Sequence, residues 1–340
     1  MRSSEFYQQR LDAVSRSFAL CIPQLEPPFR DRVALSYLLM RVLDTVEDAP
    51  FTDKAEQARQ FERLRGFLRA LPPHAEVDAF AAGFPAELTS GERALVGDTL
   101  SLLEDAHALP LAARAAIFGA VDRMAVGMAG YARRGPVLRL VDVEDVSRYC
   151  CFVAGVVGEL LTALFVLGRP QPGPPLVLAY HFGLFLQKVN ILKDQQEDEA
   201  AGRFLVPDRK ELLASLGNDA HGALGYLQAL PPGDRGYRIF CAWSLMMGAV
   251  TLAALDQPRH SRRDDTARLL AHTAAIAQDN AALGRQFAEL MPRLPDVPPR
   301  APLAKPESAE WFRDMLATSL TDAEFDRLGI GVRVSALAAG

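Results

Sequence analysis

Two short acidic runs, Asp44-Thr45-Val46-Glu47-Asp48 and Asp194-Gln195-Gln196-Glu197-Asp198, each carry two aspartates four residues apart. Residues at i and i+4 share a helical face. Two such carboxylate faces, opposed across a bundle, would make an oxygen-donor clamp for magnesium around a polyphosphate. An aspartate pair of this kind is more often a solvated surface feature, so its neighbours decide the reading. In VALSYLLMRVLDTVED, Tyr37, Arg41, Asp44 and Asp48 are spaced 4, 3 and 4 apart; in FGLFLQKVNILKDQQED, Gln187, Asn190, Asp194 and Asp198 are spaced 3, 4 and 4 apart. Each set is one polar stripe on an otherwise apolar helix. Burying unpaired carboxylates costs on the order of several kcal/mol, so the stripes must be solvated or paired inside the fold. Two of them imply a shared internal cavity. Walls rich in Leu, Val, Phe and Met would accept an apolar tail, and an isoprenyl diphosphate has both the tail and the diphosphate. Arg16, Arg41, Lys193 and Arg203 lie in or beside the polar segments, and guanidinium forks match phosphate oxygens.

The elements that must position these residues read as helices almost throughout, with no convincing alternating strand. Helical periodicity covers roughly 3–20, 28–48, 53–70, 92–108, 110–133, 142–167, 175–199, 208–229, 235–256 and 263–290. Proline and glycine end helices at 71–74, 169–175 and 231–236. The sequence therefore predicts an all-α protein, a single large helical bundle around a central apolar cavity over 1–290. Residues 291–340 are expected to form a proline-rich connector and a C-terminal helical segment.

Composition narrows the function classes. A chain of 340 residues with 49% hydrophobic content supports a sizeable core, and a net charge of −5 argues against a general nucleic-acid binder. The four cysteines, at 21, 150, 151 and 241, lack CxxC or zinc-ligand spacing and read as reduced, mostly buried thiols. The six histidines show no ligand spacing, and His181 reads as a satisfied core residue. The N-terminus is too polar for a signal peptide, and the apolar run CCFVAGVVGELLTALFVLG is broken by Glu159, so it reads as a core helix. A cytoplasmic monomer is expected, with at most peripheral contact at the inner membrane face.

Several blocks carry a resemblance. Ser15-Arg16-Ser17-Phe18, LMRVLDTVED, YCCFVAGVVGE at 149–159, LFLQKVNILKDQQED and GRFLVP at 202–207 stand in the order found in the squalene/phytoene synthase family, which the chain resembles from residue 15 to 207. The resemblance implies a bundle of the isoprenoid synthase type. It implies head-to-head joining of two farnesyl diphosphates to presqualene diphosphate, with magnesium, then reduction to squalene by NADPH. The string Gln187-Lys188-Val189-Asn190 is similar to the squalene branch, since phytoene-type relatives usually carry Leu-Thr between the Gln and Asn. The alternatives are the same coupling without reduction, ending at presqualene diphosphate, dehydrosqualene or phytoene, and a noncatalytic relative acting as an interaction protein.

Residue roles follow from the matched motifs. The resemblance implies that Asp44, Glu47, Asp48, Asp194 and Asp198, with Glu197 as a weaker candidate, hold magnesium. Arg16, Ser17, Tyr37, Arg41, Gln187, Asn190, Lys193 and Arg203 would contact phosphate oxygens of the substrate, Arg16, Arg41 and Lys193 also those of NADPH. Phe18 would bind substrate, lining the tunnel with Cys241 and Met247. Tyr149 matches the family tyrosine of the first half-reaction, helping the proton depart or stabilising the cation. Three departures bear on the product. Lys193 stands where relatives commonly have Arg, Ser244-Leu245 replaces a Pro-Gln of eukaryotic relatives, and the basic stretch at 258–265 matches their nucleotide-contacting loop poorly.

Overall fold

Serine, threonine and aspartate start most of the helices that the sequence predicts. The protein is seen in a computed structural model that describes residues 1–255 and 263–294. Helix α1 (Ser4–Val14) is capped by Ser3, and α2 (Phe18–Cys21) follows a short extended break. The long helix α3 (Phe29–Asp48) carries the first acidic run. Asp53 caps α4 (Lys54–Arg69), α5 (His74–Ala82) follows, and a Thr89/Glu92 capping box starts α6 (Ser90–Gly97). After α7 (Thr99–His107) and α8 (Leu111–Ala132) comes β1 (Leu138–Arg139). Asp142 caps α9 (Val143–Cys150), which passes through a π turn at Cys151–Gly155 into α10 (Val156–Val166). Helix α11 (Leu176–Lys193) and the short α12 (Gln195–Ala200) carry the second acidic run. The chain then forms β2 (Arg203–Phe204), α13 (Arg209–Ala229), α14 (Arg235–Ala254), α15 (Arg263–Ile276) and α16 (Asn280–Leu290).

Helix α11 is central. It packs against α10, α13 and α14, while α3 packs against α8 and α10, so the two acidic helices face each other across one core. Glycines set the closest approach: a side chain at Gly158 would overlap the Ala179 carbonyl oxygen, and one at Gly183 the Ala154 carbonyl oxygen. Two stretches, Val143–Val166 and Arg235–Ala254, are long and apolar enough to cross a membrane by length and composition, but most of each is buried inside the fold. All four cysteines are free and buried, as expected.

The core also holds charges, each closed by partners. Arg123 makes two hydrogen bonds to Glu159, at 2.7 and 2.9 Å, and the Tyr180 hydroxyl donates to the same carboxylate. Lys188 donates to Asp219 and to the Ser215 hydroxyl, each at 2.7 Å, and His181 meets the other Asp219 oxygen at 3.0 Å. His181 is thus a satisfied residue of the core's edge, as its sequence context suggests.

The elements differ from the periodicity in instructive places. The helix expected over 3–20 breaks at Ser15, which is extended and whose hydroxyl accepts from the Phe18 N–H at 3.0 Å. The helix expected over 142–167 is interrupted by the π turn directly after Tyr149-Cys150. The one expected over 175–199 leaves helical geometry at Asp194, although the Asp198 N–H still reaches the Asp194 carbonyl at 2.9 Å and keeps the stripe aligned. The segments read as 92–108 and 263–290 each split in two, at Asp98 and at Asp279. Helix α5 carries no strong apolar face and was not foreseen. The parallel β1–β2 pairing, Leu138 with Arg203 and Arg139 with Phe204, is too short to show alternation. The connector and helical segment at 295–340 and most of the basic stretch at 258–265 lie outside the described residues.

Candidate active site

A cavity of about 720 Å³ runs between α3, α8, α10, α11 and α14. Its walls are apolar, built by Met40, Met124, Met128, Leu160, Phe182 and Phe240, and one end is lined by charged and polar side chains. Helix α3 presents Tyr37, Arg41, Asp44, Glu47 and Asp48 there; α11 and α12 present Gln187, Asn190, Lys193, Asp194 and Asp198. The break before α2 adds Arg16 and Ser17, α2 adds Phe18, α9 adds Tyr149, and β2 adds Arg203. Both polar stripes therefore open into one space. Glu197 is the exception among the expected site residues, being exposed and outside the lining. Cys241 and Met247 also fall outside the lining, to which α14 contributes Phe240 and Thr251; residue 241 is rotated about 100° from 240.

Arg203 joins the two acidic runs. Its guanidinium lies 2.8 Å from Asp48, 3.5 Å from Asp198 and 3.8 Å from Glu47, and it donates to the Tyr149 hydroxyl at 2.9 Å. The β1–β2 pairing fixes this reach, since the Leu138 and Leu140 N–H groups donate to the Gly202 and Phe204 carbonyls on either side of Arg203. Tyr149 is buried, stacks edge-on against Tyr131, and its hydroxyl lies 3.2 Å from both Glu47 oxygens. The π turn that begins two residues later alters the helical register just C-terminal to it. On the other side of the mouth, Arg41 donates to Glu92 at 2.9 Å and stands 3.7 and 3.9 Å from Asp44 and Asp48. Lys193 is half exposed and pairs with its neighbour Asp194 at 2.9 Å.

Crowded carboxylates make the site unusually ready to hold protons. Burial, reinforced by Asp48, pushes the Asp44 carboxyl up to about 7 against the pull of Arg41. Burial pushes Glu47 up to about 8, with Asp48 and Asp44 adding to the shift and Arg203 opposing it. Burial, then the negative Glu47, holds the Tyr149 phenol well above its ordinary value, so it stays protonated at neutral pH. A divalent cation would replace those protons. The donors are all carboxylate oxygens, which suits magnesium and not a softer metal. As the side chains stand, no group of three or more acidic, His or Cys residues among the described ones converges as a ligand set, and Arg203 bridges Asp48 and Asp198. The two guanidiniums themselves fit an anion: Arg41 Nε and Arg203 Nε are buried and lack a hydrogen-bond partner.

Glu92 was not foreseen. Its capping-box role was legible in Thr89-Ser90-Gly91-Glu92, but its pairing with Arg41, 51 residues away, carries no local signal. The place of Met124 and Met128 in the cavity wall emerges only from the packing of α8.

A family model described as squalene/phytoene synthase matches residues 11–219, which include every expected site residue except Cys241 and Met247. The squalene synthase of Mycosarcoma maydis is 36% identical over 205 residues, covering 58% of this chain and 34% of the relative. That of Eremothecium gossypii is 34% identical over 219 residues, 62% of this chain and 47% of the relative. That of Schizosaccharomyces pombe is 30% identical over 280 residues, 73% of this chain and 58% of the relative. The chain thus spans about a third to just over half of the length of these curated relatives. Among solved structures, the complex of TcSQS with the ligand BPH1237 superposes with a TM-score of 0.68 at 24% identity, covering 96% of this chain and 98% of that one. A dehydrosqualene synthase in complex with ligand gives 0.54 at 17% identity, covering 80% and 95%. Both show the same fold.

Proposed function

Since the chain belongs to the squalene/phytoene synthase family, we propose that it is a prenyltransferase that joins two farnesyl diphosphates head to head and carries the product on to squalene with NADPH. The observation that carries this reading is the meeting of two carboxylate stripes and two buried guanidinium nitrogens without a hydrogen bond at one end of an apolar cavity. That arrangement is complementary to an amphiphile with a diphosphate head. The relatives named squalene synthase support the choice of end product.

Asp44, Glu47, Asp48, Asp194 and Asp198 would hold magnesium, which when bound neutralises charge on a departing diphosphate. Arg41 and Arg203 supply donors to the diphosphate oxygens, with Arg16, Ser17, Tyr37, Gln187, Asn190 and Lys193 around them. The apolar walls exclude water, so an allylic cation left by the departing group is attacked by the double bond of the second substrate and not by solvent. Tyr149, hydrogen-bonded to Glu47 and Arg203, is assigned to the first half-reaction, where loss of a proton closes the cyclopropane of presqualene diphosphate. NADPH would supply the hydride that quenches the second cation, and Arg16, Arg41 and Lys193 are the residues proposed to meet its phosphates.

The test is incubation of the purified protein with farnesyl diphosphate and magnesium, with and without NADPH, followed by mass spectrometry. Squalene formed only with NADPH is the expected result. The same hydrocarbon in both reactions would overturn the reductive half, and the absence of any coupled product would overturn the whole reading.

A further inference from the structure

Glu92 uses its two carboxylate oxygens for different tasks. Oε2 accepts from the Thr89 N–H at 3.1 Å and from the Thr89 hydroxyl at 2.8 Å, which closes the capping box of α6. Oε1 accepts from Arg41 Nη2 at 2.9 Å, across 51 residues of chain. Both side chains are largely enclosed, at 20% and 22% exposure, so the pair is less screened than one on the surface. Arg41 has two other carboxylates nearby, Asp44 at 3.7 Å and Asp48 at 3.9 Å on its own helix, but neither is as close as Glu92. The guanidinium is therefore anchored outside the acidic run. Its Nε, buried in the cavity lining, keeps a donor with no protein acceptor.

We infer that Glu92 is a positioning residue for the diphosphate: it holds the Arg41 fork off Asp44 and Asp48, leaving those oxygens for a cation and an Arg41 donor for the anion. Without the Glu92 charge, the nearest acceptors for Arg41 are Asp44 and Asp48. Arg41 would then fold onto the carboxylates that the cation needs, and both ligands would bind less well. The inference rests on the reading that the cavity takes a diphosphate.

Capping and anchoring can be separated by mutation. Glu92→Gln keeps an N3 side chain that closes a capping box but removes the charge that anchors Arg41. Thr89→Ala removes the cap and keeps the charge. The probe is inorganic pyrophosphate with magnesium, titrated calorimetrically into the full chain, with thermal unfolding measured in parallel. Glu92→Gln is expected to weaken pyrophosphate binding about tenfold, a typical loss for one misplaced charged donor, with its unfolding temperature near that of the unaltered protein. Thr89→Ala is expected to lower the unfolding temperature by a few degrees and to leave binding within about twofold. In an Arg41→Gln background, Glu92→Gln should add nothing, because the group it positions is gone. Equal binding by Glu92→Gln and the unaltered protein would overturn the assignment alone. So would equal losses from Thr89→Ala and Glu92→Gln, or full additivity with Arg41→Gln. Failure of the unaltered protein to bind magnesium pyrophosphate would overturn the diphosphate reading itself.

Discussion

Two clusters of charge sit inside the same bundle and are built on opposite principles. In the core, Arg123, Glu159 and Tyr180 on one side and Lys188, Asp219, Ser215 and His181 on the other close on themselves through short hydrogen bonds. At the cavity mouth, five carboxylates share the space with Arg41, Arg203 and Lys193, and the side-chain nitrogens left buried without a hydrogen bond among the described residues are Arg41 Nε and Arg203 Nε. A buried ion pair that satisfies itself orders helices and has nothing left to bind. A cluster with surplus carboxylate and unused donors is costly on its own and complementary to a cation with its anion.

The contrast can be broken by moving the same kind of change between the two clusters. Asp44→Asn and Asp198→Asn at the mouth are expected to lower turnover about 10³-fold or more, as loss of charge stabilisation at a departing group does, with helix content by circular dichroism unchanged. Normal turnover in either variant would sink the clamp. Arg123→Met in the core should do the reverse, removing about 3–5 kcal/mol of stability by leaving Glu159 buried without its partner. A denaturant midpoint close to that of the unaltered protein would show the core pair to be dispensable.

The smallest effect expected is a pH dependence, which the mouth should show through Asp44 and Glu47. Their carboxyls protonate near 7 and 8 in the fold and near 4 in an unfolded chain, roughly the values of free Asp and Glu. Cation binding must displace those protons, so magnesium affinity should rise a few-fold per unit as pH goes from about 6 to 8 and level off above that. Stability should move the other way. The preference for the protonated form in the fold contributes fully below about pH 4 and is lost as pH rises through 7 to 8. Calorimetric titration with magnesium and denaturant midpoints across this range would check both signs, and parallel trends would refute the assignment.

Much of the site was legible because its signals are local. Tyr37, Arg41, Asp44 and Asp48 share one face by spacing alone, and Gln187, Asn190, Asp194 and Asp198 keep theirs even though the helix breaks at Asp194, since the Asp198 to Asp194 backbone hydrogen bond survives the break. Glu197 fell outside the cavity because acidic composition says nothing of the face on which a neighbour lands. The breaks at Ser15 and Asp279 are side-chain-to-backbone choices that apolar periodicity does not see.

By itself, then, the amino-acid order determined an all-helical chain, two polar stripes each on one helical face, and the motifs shared with squalene/phytoene synthases. Each depends on contacts within one or two helical turns, where covalent geometry sets what can meet. Only the tertiary structure decided that Arg203 would join Asp48 to Asp198 and Tyr149, that Glu92 would hold Arg41, and that Lys188, one residue from the polar stripe, would be sealed against Asp219. Except for Arg203 with Asp198, these pairings span tens to more than a hundred residues of chain, and packing α11 between α10, α13 and α14 selects which charge is buried with a partner and which is left to bind.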